Sequence, residues 1–379
     1  MTGSALAPES TGRFADLLAG KAAPWTVFRM TPGAFLRACE DEGLTGLVHQ
    51  RLSTQEDGGW PAEIREAMAT AARKQTAAEL LRQRQLIAVL DALAAEGIYP
   101  VVLKGTALAH SLYESPAARP RTDTDLLIRR DQVDQVRRVL GRSGCDAPTQ
   151  CDGELLFCQF PLKQTDEFGM VHALDVHWKI STQSVFAGVL PFDEVTALAT
   201  PLPALGRHAR MAGPVHALIL ACIHPVMHHR NAESLIWTYD IHLLASRLSD
   251  REFAAFAELA VARQVSAICA YQLARARRWL GTRVPDAAMA RLAAGGDHEP
   301  SAAYLQPGRH WGDEMLANLR GLPRWTDRLR LLREVTLPGP AYMLKAYGMA
   351  SSSLGPALLP LLYCHRLVLG CWKIVTGRK

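Results

Sequence analysis

The chain has 379 residues, of which 49% are hydrophobic and 21% charged, with a formal net charge of +5 at pH 7. That length supports one large domain or two to three ordinary ones, and the composition excludes wholesale disorder. The small positive surplus suits an anionic ligand but is too weak to mark a nucleic-acid surface.

Residues 1–12 read as a frayed terminus, and from there to about residue 97 the text is helical. "AFLRACEDEGLTGLVHQRL" and "PAEIREAMATAARKQTAAELLRQRQLIAVLDALAAEGI" carry apolar residues three and four apart, in Ala-, Leu-, Arg- and Gln-rich surroundings. Pro61 suits the first turn of the second segment and Gly97 its end. The texture then changes. "IYPVVL" (98–103) predicts a strand, "TALAHSLYE" (106–114) a helix and "SPAARPR" a loop. "TDLLI" (124–128) predicts a second strand, and "DQVDQVRRVLGRSG" (131–144) a helix. "ELLFCQFPL" (154–162) and "VHALDVHWKI" (171–180) predict a hairpin across the turn-like "KQTDEFG". Past residue 212 the period is helical again, with "RLAAGGDHEPSAAYLQPGRH" (291–310) read as a surface loop.

These elements predict an α+β fold. A small mixed β-sheet core (98–205) lies between an N-terminal helical region (1–97) and a C-terminal one (206–379). The last apolar run, "LGPALLPLLYCHRLVLGCWKIV", has the length of a membrane span. Pro356, Pro360, His365, Arg366 and Lys373 interrupt it, so it predicts a terminal helix docked on the core rather than an integral span. Peripheral membrane contact through this helix is the minor alternative. Eight scattered cysteines form no Cys-x-x-Cys pair, and no basic start followed by an apolar core opens the chain. The expectation is free thiols in a reducing, cytoplasmic compartment.

Asp123 and Asp125 are separated by one residue at the entrance of a predicted strand, so alternation puts both carboxylates on one face. Two like charges there repel unless a cation lies between them. Mg²⁺ suits carboxylate oxygens together with substrate phosphates, and a metal pair can serve a phosphoryl-type displacement. The alternative is a solvated turn at a strand entrance. Upstream, a strand runs into Lys104-Gly105-Thr106 at a helix start. Such a junction offers backbone N–H groups to phosphate, with a hydroxyl and an ammonium alongside. It is not a Walker loop. Arg119 and Arg121 lie in the loop just before the aspartates, where they can clamp phosphates or simply be solvated.

Together, Lys104, Gly105, Tyr113, Pro116, Arg119, Pro120, Asp123 and Asp125 resemble the pattern of an uncharacterised bacterial nucleotidyltransferase family within the DNA polymerase beta-like nucleotidyltransferase superfamily. The resemblance is firm over about residues 80–180. It implies a third carboxylate on a later strand, and Asp175 in "ALDVHWKI" fits that place. His177 shares its face and could orient a metal ligand or contact substrate, and Asp240 in "WTYDIHLL" is a candidate site-lining residue; a structural histidine and a buried or surface acid are the alternatives. Two departures stand out. Thr106 replaces the usual Ser or Gly of the wider superfamily, and Lys104 precedes the glycine.

The resemblance implies a Mg²⁺-dependent transfer, with two metals, of NMP from an NTP (ATP favoured) to a hydroxyl acceptor, releasing pyrophosphate. Asp123, Asp125 and Asp175 would be metal and catalytic residues, and Lys104, Gly105, Thr106, Arg119 and Arg121 the nucleotide-binding ones. The acceptor would be a small molecule, a peptide or a protein, with a tRNA end the weaker candidate. Alternatives are γ-phosphoryl transfer from the same site and a non-catalytic, toxin–antitoxin-like binding module. His224 and His228 are four residues apart, but Pro225 follows the first, so the His-Glu-x-x-His zinc pattern is absent. Those histidines are expected to line helices near the cleft.

Overall fold

The computed structural model describes residues 6–54, 58–145, 155, 158–296, 298–306, 311–349, 352 and 354–376. Six strands form one mixed sheet: β1 (Val101–Leu103), β2 (Thr124–Leu127), β3 (Gln159–Thr165), β4 (Val171–His177), β5 (Thr200–Pro201) and β6 (Arg210–Met211). Their order is β3–β4–β2–β1–β6–β5. β2 runs antiparallel to β1 and parallel to β4; β3 and β4 form the antiparallel hairpin read from the sequence. The α+β class therefore holds, with helices flanking the sheet on both sides.

Each sheet face has its own core. Val102, Leu126, Leu174 and Val176 pack against Leu86, Leu90 and Leu93 of the 34-residue helix Ala62–Ala95 and against Val136 and Leu140 of the helix Val133–Arg142. Val101, Leu103 and Leu127, on the opposite face, join Ile219 and Ile223 of the helix Pro214–His228 and the helices after it. The N-terminal helices form a third cluster around Phe14, Phe28, Phe35 and Trp60, which reaches across to Ile236 and Tyr239 of the helix Leu235–Ala245. Gly46 matters here: a Cβ would lie 2.7 Å from the Ala118 Cα, so only glycine lets the helix Thr45–Thr54 press on the loop that carries Arg119.

Several boundaries differ from the sequence reading. Pro61 precedes the long helix as its N-cap, while Gly97, at φ 74, ends it as expected. β3 extends to Thr165, which pairs with Val171 and shortens the turn to Asp166–Met170. Of the run read as 154–162, residues 154, 156 and 157 lie outside the described ones. β5 and β6 have two residues each, too few to show alternation.

The stretch 291–310 is not a plain surface loop. It holds the end of the helix Asp286–Ala293 and a 3₁₀ segment Pro300–Leu305 with Ser301 and Tyr304 fully buried. Its Glu299 carboxylate caps the helix Ser266–Leu280 by accepting from the Ala267 N–H at 3.0 Å. Cys39, Cys158, Cys222, Cys269 and Cys364 are free thiols; Cys151 lies outside the described residues. Among the described residues, no helix is long and apolar enough to cross a membrane.

Candidate active site

The site opens where the sheet stops being covered. β1 ends at Leu103, which sits opposite Asp125 in the antiparallel register. The chain then turns at Lys104 into the helix Lys104–Leu112. Lys104 has φ 51, a left-handed conformation that costs a lysine on the order of 1–3 kcal/mol and must be held by its surroundings. What holds it is visible: its ammonium bonds the Asp125 Oδ1 at 2.7 Å. Gly105 does not carry the strain, and a Cβ there would meet the Arg119 guanidinium at an ordinary 3.6 Å. Glycine at 105 is thus not demanded by packing.

Parallel pairing of β2 and β4 sets Asp125 directly beside Asp175, and Leu127 beside His177. Alternation along β4 turns Asp175 and His177 to the cleft face while Leu174, Val176 and Trp178 pack into the other core. The ligand atoms of Asp125, Asp175 and His177 lie within 4.8 Å of one another. Asp123, two residues ahead of Asp125, stands half-buried at the same edge. His177 Nε2 lies 2.8 Å from Asp125 Oδ1, and its Nδ1 is buried with no hydrogen-bond partner among the described residues.

The electrostatics divide the three carboxyls. Burial opposes the ionisation of Asp125, but Lys104 and then His177 outweigh it and hold its pKa well below the usual carboxylate range. Asp123 is raised, first by burial and then by the charges of Asp125 and Asp175. Asp175 is also raised, mainly by burial, with the charge of Asp125 adding to it against the opposing pull of His177. An oxygen-rich donor set with mutual repulsion fits a hard divalent cation.

Thr106 is buried behind the turn, whereas Arg119 and Arg121 line the cleft. Thr106 is 1% exposed; its hydroxyl lies 3.1 Å from the Thr124 hydroxyl and 3.4 Å from the Asp123 carbonyl, so it ties the turn to β2. Arg119 Nε donates to both oxygens of Asp240 at 3.0 Å, and Nη2 to Oδ2 at 2.7 Å. Arg119 Nη1 donates to the Pro120 carbonyl at 2.7 Å, so all three guanidinium nitrogens are engaged within the protein. Tyr113 completes the cluster by donating to Asp240 Oδ1 at 2.6 Å. Asp240 thus buttresses the turn from the helix Leu235–Ala245.

Sequence reasoning missed Glu79. From inside the long helix it accepts from Arg121 Nη2 at 2.6 Å and lies 2.9 Å from His110 Nε2. Nothing in "TAAELLRQ" distinguishes this glutamate from a solvated one. Burial raises its pKa, but His110 and Arg121 prevail and lower it. A depressed carboxylate contributes stability above its ordinary range and loses it as pH falls below that range and through its own lowered pKa. Glu79→Gln should therefore cost about 1.5–3 kcal/mol at neutral pH, and the deficit should shrink in acid; urea unfolding of both proteins across pH checks this. Equal deficits at all pH would show that Glu79 carries no charge-dependent stability.

A cleft of about 710 Å³ extends from the carboxylates to a wall of rings on the helices Pro214–His228 and Leu235–Ala245. The ring of His229 stacks on Trp237 at 4.4 Å and 28°. His224 meets Trp237 edge-on at 5.7 Å and His228 at 5.5 Å. Burial, then the Lys104 charge, lowers the pKa of all three histidines, so the wall is lined by neutral imidazoles. Among the described residues, Asp125, Asp175 and His177 are the group able to hold a metal.

A sheet edge bearing facing carboxylates beside a lysine turn has the donor set that could hold a metal ion. The profile of the family described as Uncharacterised nucleotidyltransferase matches residues 30–281, about two thirds of the chain. The chain belongs to this family, as the motif between Lys104 and Asp175 led one to expect. No curated protein matches it.

Proposed function

We propose that the protein transfers an NMP group from an NTP to an acceptor hydroxyl and releases pyrophosphate. The observation that carries this reading is the register pair Asp125–Asp175, with Asp123 on the same edge, in a cleft that begins at the Lys104 turn. Asp123, Asp125 and Asp175 would hold Mg²⁺, with His177 orienting Asp125. When bound, the metal supplies Lewis-acid stabilisation of the phosphate charge.

The side chains divide the remaining work. Asp125, kept ionised by Lys104 and His177, is a poor proton acceptor. Asp175, whose proton affinity is raised, suits removal of the acceptor's hydroxyl proton. The acceptor oxygen then bonds to the α-phosphorus as the bond from that phosphorus to the α,β-bridging oxygen breaks, and pyrophosphate carries away the electron pair. The Lys104 ammonium, 2.7 Å from Asp125, is placed to pass to the phosphates and neutralise developing charge. The Gly105 backbone gives the phosphates close approach. Arg119 and Arg121 line the cleft, where, tied to Asp240 and Glu79, they add positive potential toward the phosphates. The His229–Trp237 pair offers a flat wall on which a base can stack, with ATP the favoured nucleotide.

Calorimetric titration of Mg²⁺ or Mn²⁺ with a non-hydrolysable NTP analogue tests the site. Wild type should bind both together, and Asp123→Asn or Asp175→Asn should weaken metal binding about tenfold or more. Unchanged metal affinity in both variants would overturn the assignment.

A further inference from the structure

The charge of the chain is unevenly placed. Residues 321–379 contain nine basic and two acidic residues, a net of +7, which leaves the first 320 residues at −2. This segment lies wholly past residue 281, where the family match ends. Among the described residues, most of the large apolar side chains left exposed also fall after residue 315.

The exposure is patterned. On the helix Trp325–Thr336, Trp325, Leu329 and Leu332 are 70%, 55% and 40% exposed, at a spacing of four and three that makes one face. On the helix Gly355–Thr376, Leu361, Val368 and Trp372 are 66%, 67% and 46% exposed, at a spacing of seven and four that again makes one face. The two helices adjoin: Tyr363 donates to the Pro338 carbonyl at 2.5 Å and Arg366 to the Val335 carbonyl at 3.2 Å. Arg324, Arg328, Arg330 and Arg333 stand exposed around the first apolar face. Leucine and tryptophan faces set among arginines match a lipid surface of negative charge, where apolar side chains enter the interface and basic ones meet headgroups.

We propose that this C-terminal pair of helices docks the protein on an anionic bilayer surface. The docking is independent of the nucleotide chemistry, so the two readings can fail separately. Full-length protein is floated with vesicles of phosphatidylcholine alone and with vesicles containing about a third phosphatidylglycerol. It should rise with the anionic vesicles and not with the neutral ones, and high salt should release it.

Leu361→Glu/Val368→Glu should reduce the floated fraction about tenfold with no change in melting temperature, since both side chains are exposed. Arg328→Glu/Arg330→Glu should weaken the anionic binding in the same direction. No flotation with anionic vesicles, or flotation that both variants leave unchanged, would overturn the proposal. So would self-association of the wild type that the leucine–valine variant abolishes while vesicles bind neither protein, which would make the face a protein interface.

Discussion

Asp125→Asn is expected to lower nucleotidyl transfer roughly a thousandfold while the protein keeps its fold. The amide has the shape of the carboxylate but no charge to offer a metal. Its oxygen can still accept from Lys104 or His177, the two groups that now meet Asp125 Oδ1 at 2.7 and 2.8 Å. Two opposing effects act on stability. The Lys104 ammonium, 12% exposed, loses its counter-charge, while Asp123 and Asp175 lose a repelling neighbour. The melting temperature should therefore move little although activity collapses. A variant that retained wild-type transfer would remove Asp125 from the chemistry, and one that failed to fold would make it structural.

The second large effect falls on stability. Asp240→Ala should cost about 3–5 kcal/mol, read as a shift in the urea midpoint, because it strands a buried guanidinium. Arg119 is 8% exposed and Asp240 3%. Burial alone would lower the arginine pKa, and the carboxylate more than offsets that. The same carboxylate, after burial, pushes the Tyr113 hydroxyl well above its ordinary range. Replacing both partners with apolar residues, as in Arg119→Met/Asp240→Leu, should recover much of the loss, since no charge is then left unpaired. If Asp240→Ala unfolded at the wild-type midpoint, the pair would not be holding the turn.

The carboxylate face could be read because it obeys local rules. One intervening residue between Asp123 and Asp125, and the alternation of Asp175 and His177 against Trp178, follow from the period of a strand. The pairing of Asp125 with Asp175 needed the fold, since no pattern in either strand states their register. The buttress was less legible still. Arg119 and Asp240 are 121 residues apart, and a loop arginine looks the same in sequence whether it reaches phosphate or a distant helix. Thr106 and Arg121 were no easier to place from sequence: nothing in the chain states that the Thr106 hydroxyl meets Thr124 or that one nitrogen of Arg121 reaches Glu79. The left-handed backbone at Lys104 was also hidden. Glycine is the residue that ordinarily takes such a conformation, yet here it falls on the lysine before Gly105 and an ion pair holds it.

The central claim is that this cleft transfers a nucleotide rather than a bare phosphate. The direct measurement is to incubate the protein with Mg²⁺ and acceptor-containing cell extract, using NTP labelled at the α-phosphate in one reaction and at the γ-phosphate in another. The expected result is α-label in the product and γ-label in pyrophosphate, both abolished by a metal chelator and by Asp125→Asn. Label from the γ-position in the product would contradict the account and make the protein a kinase, and transfer of neither label would leave it a binding module.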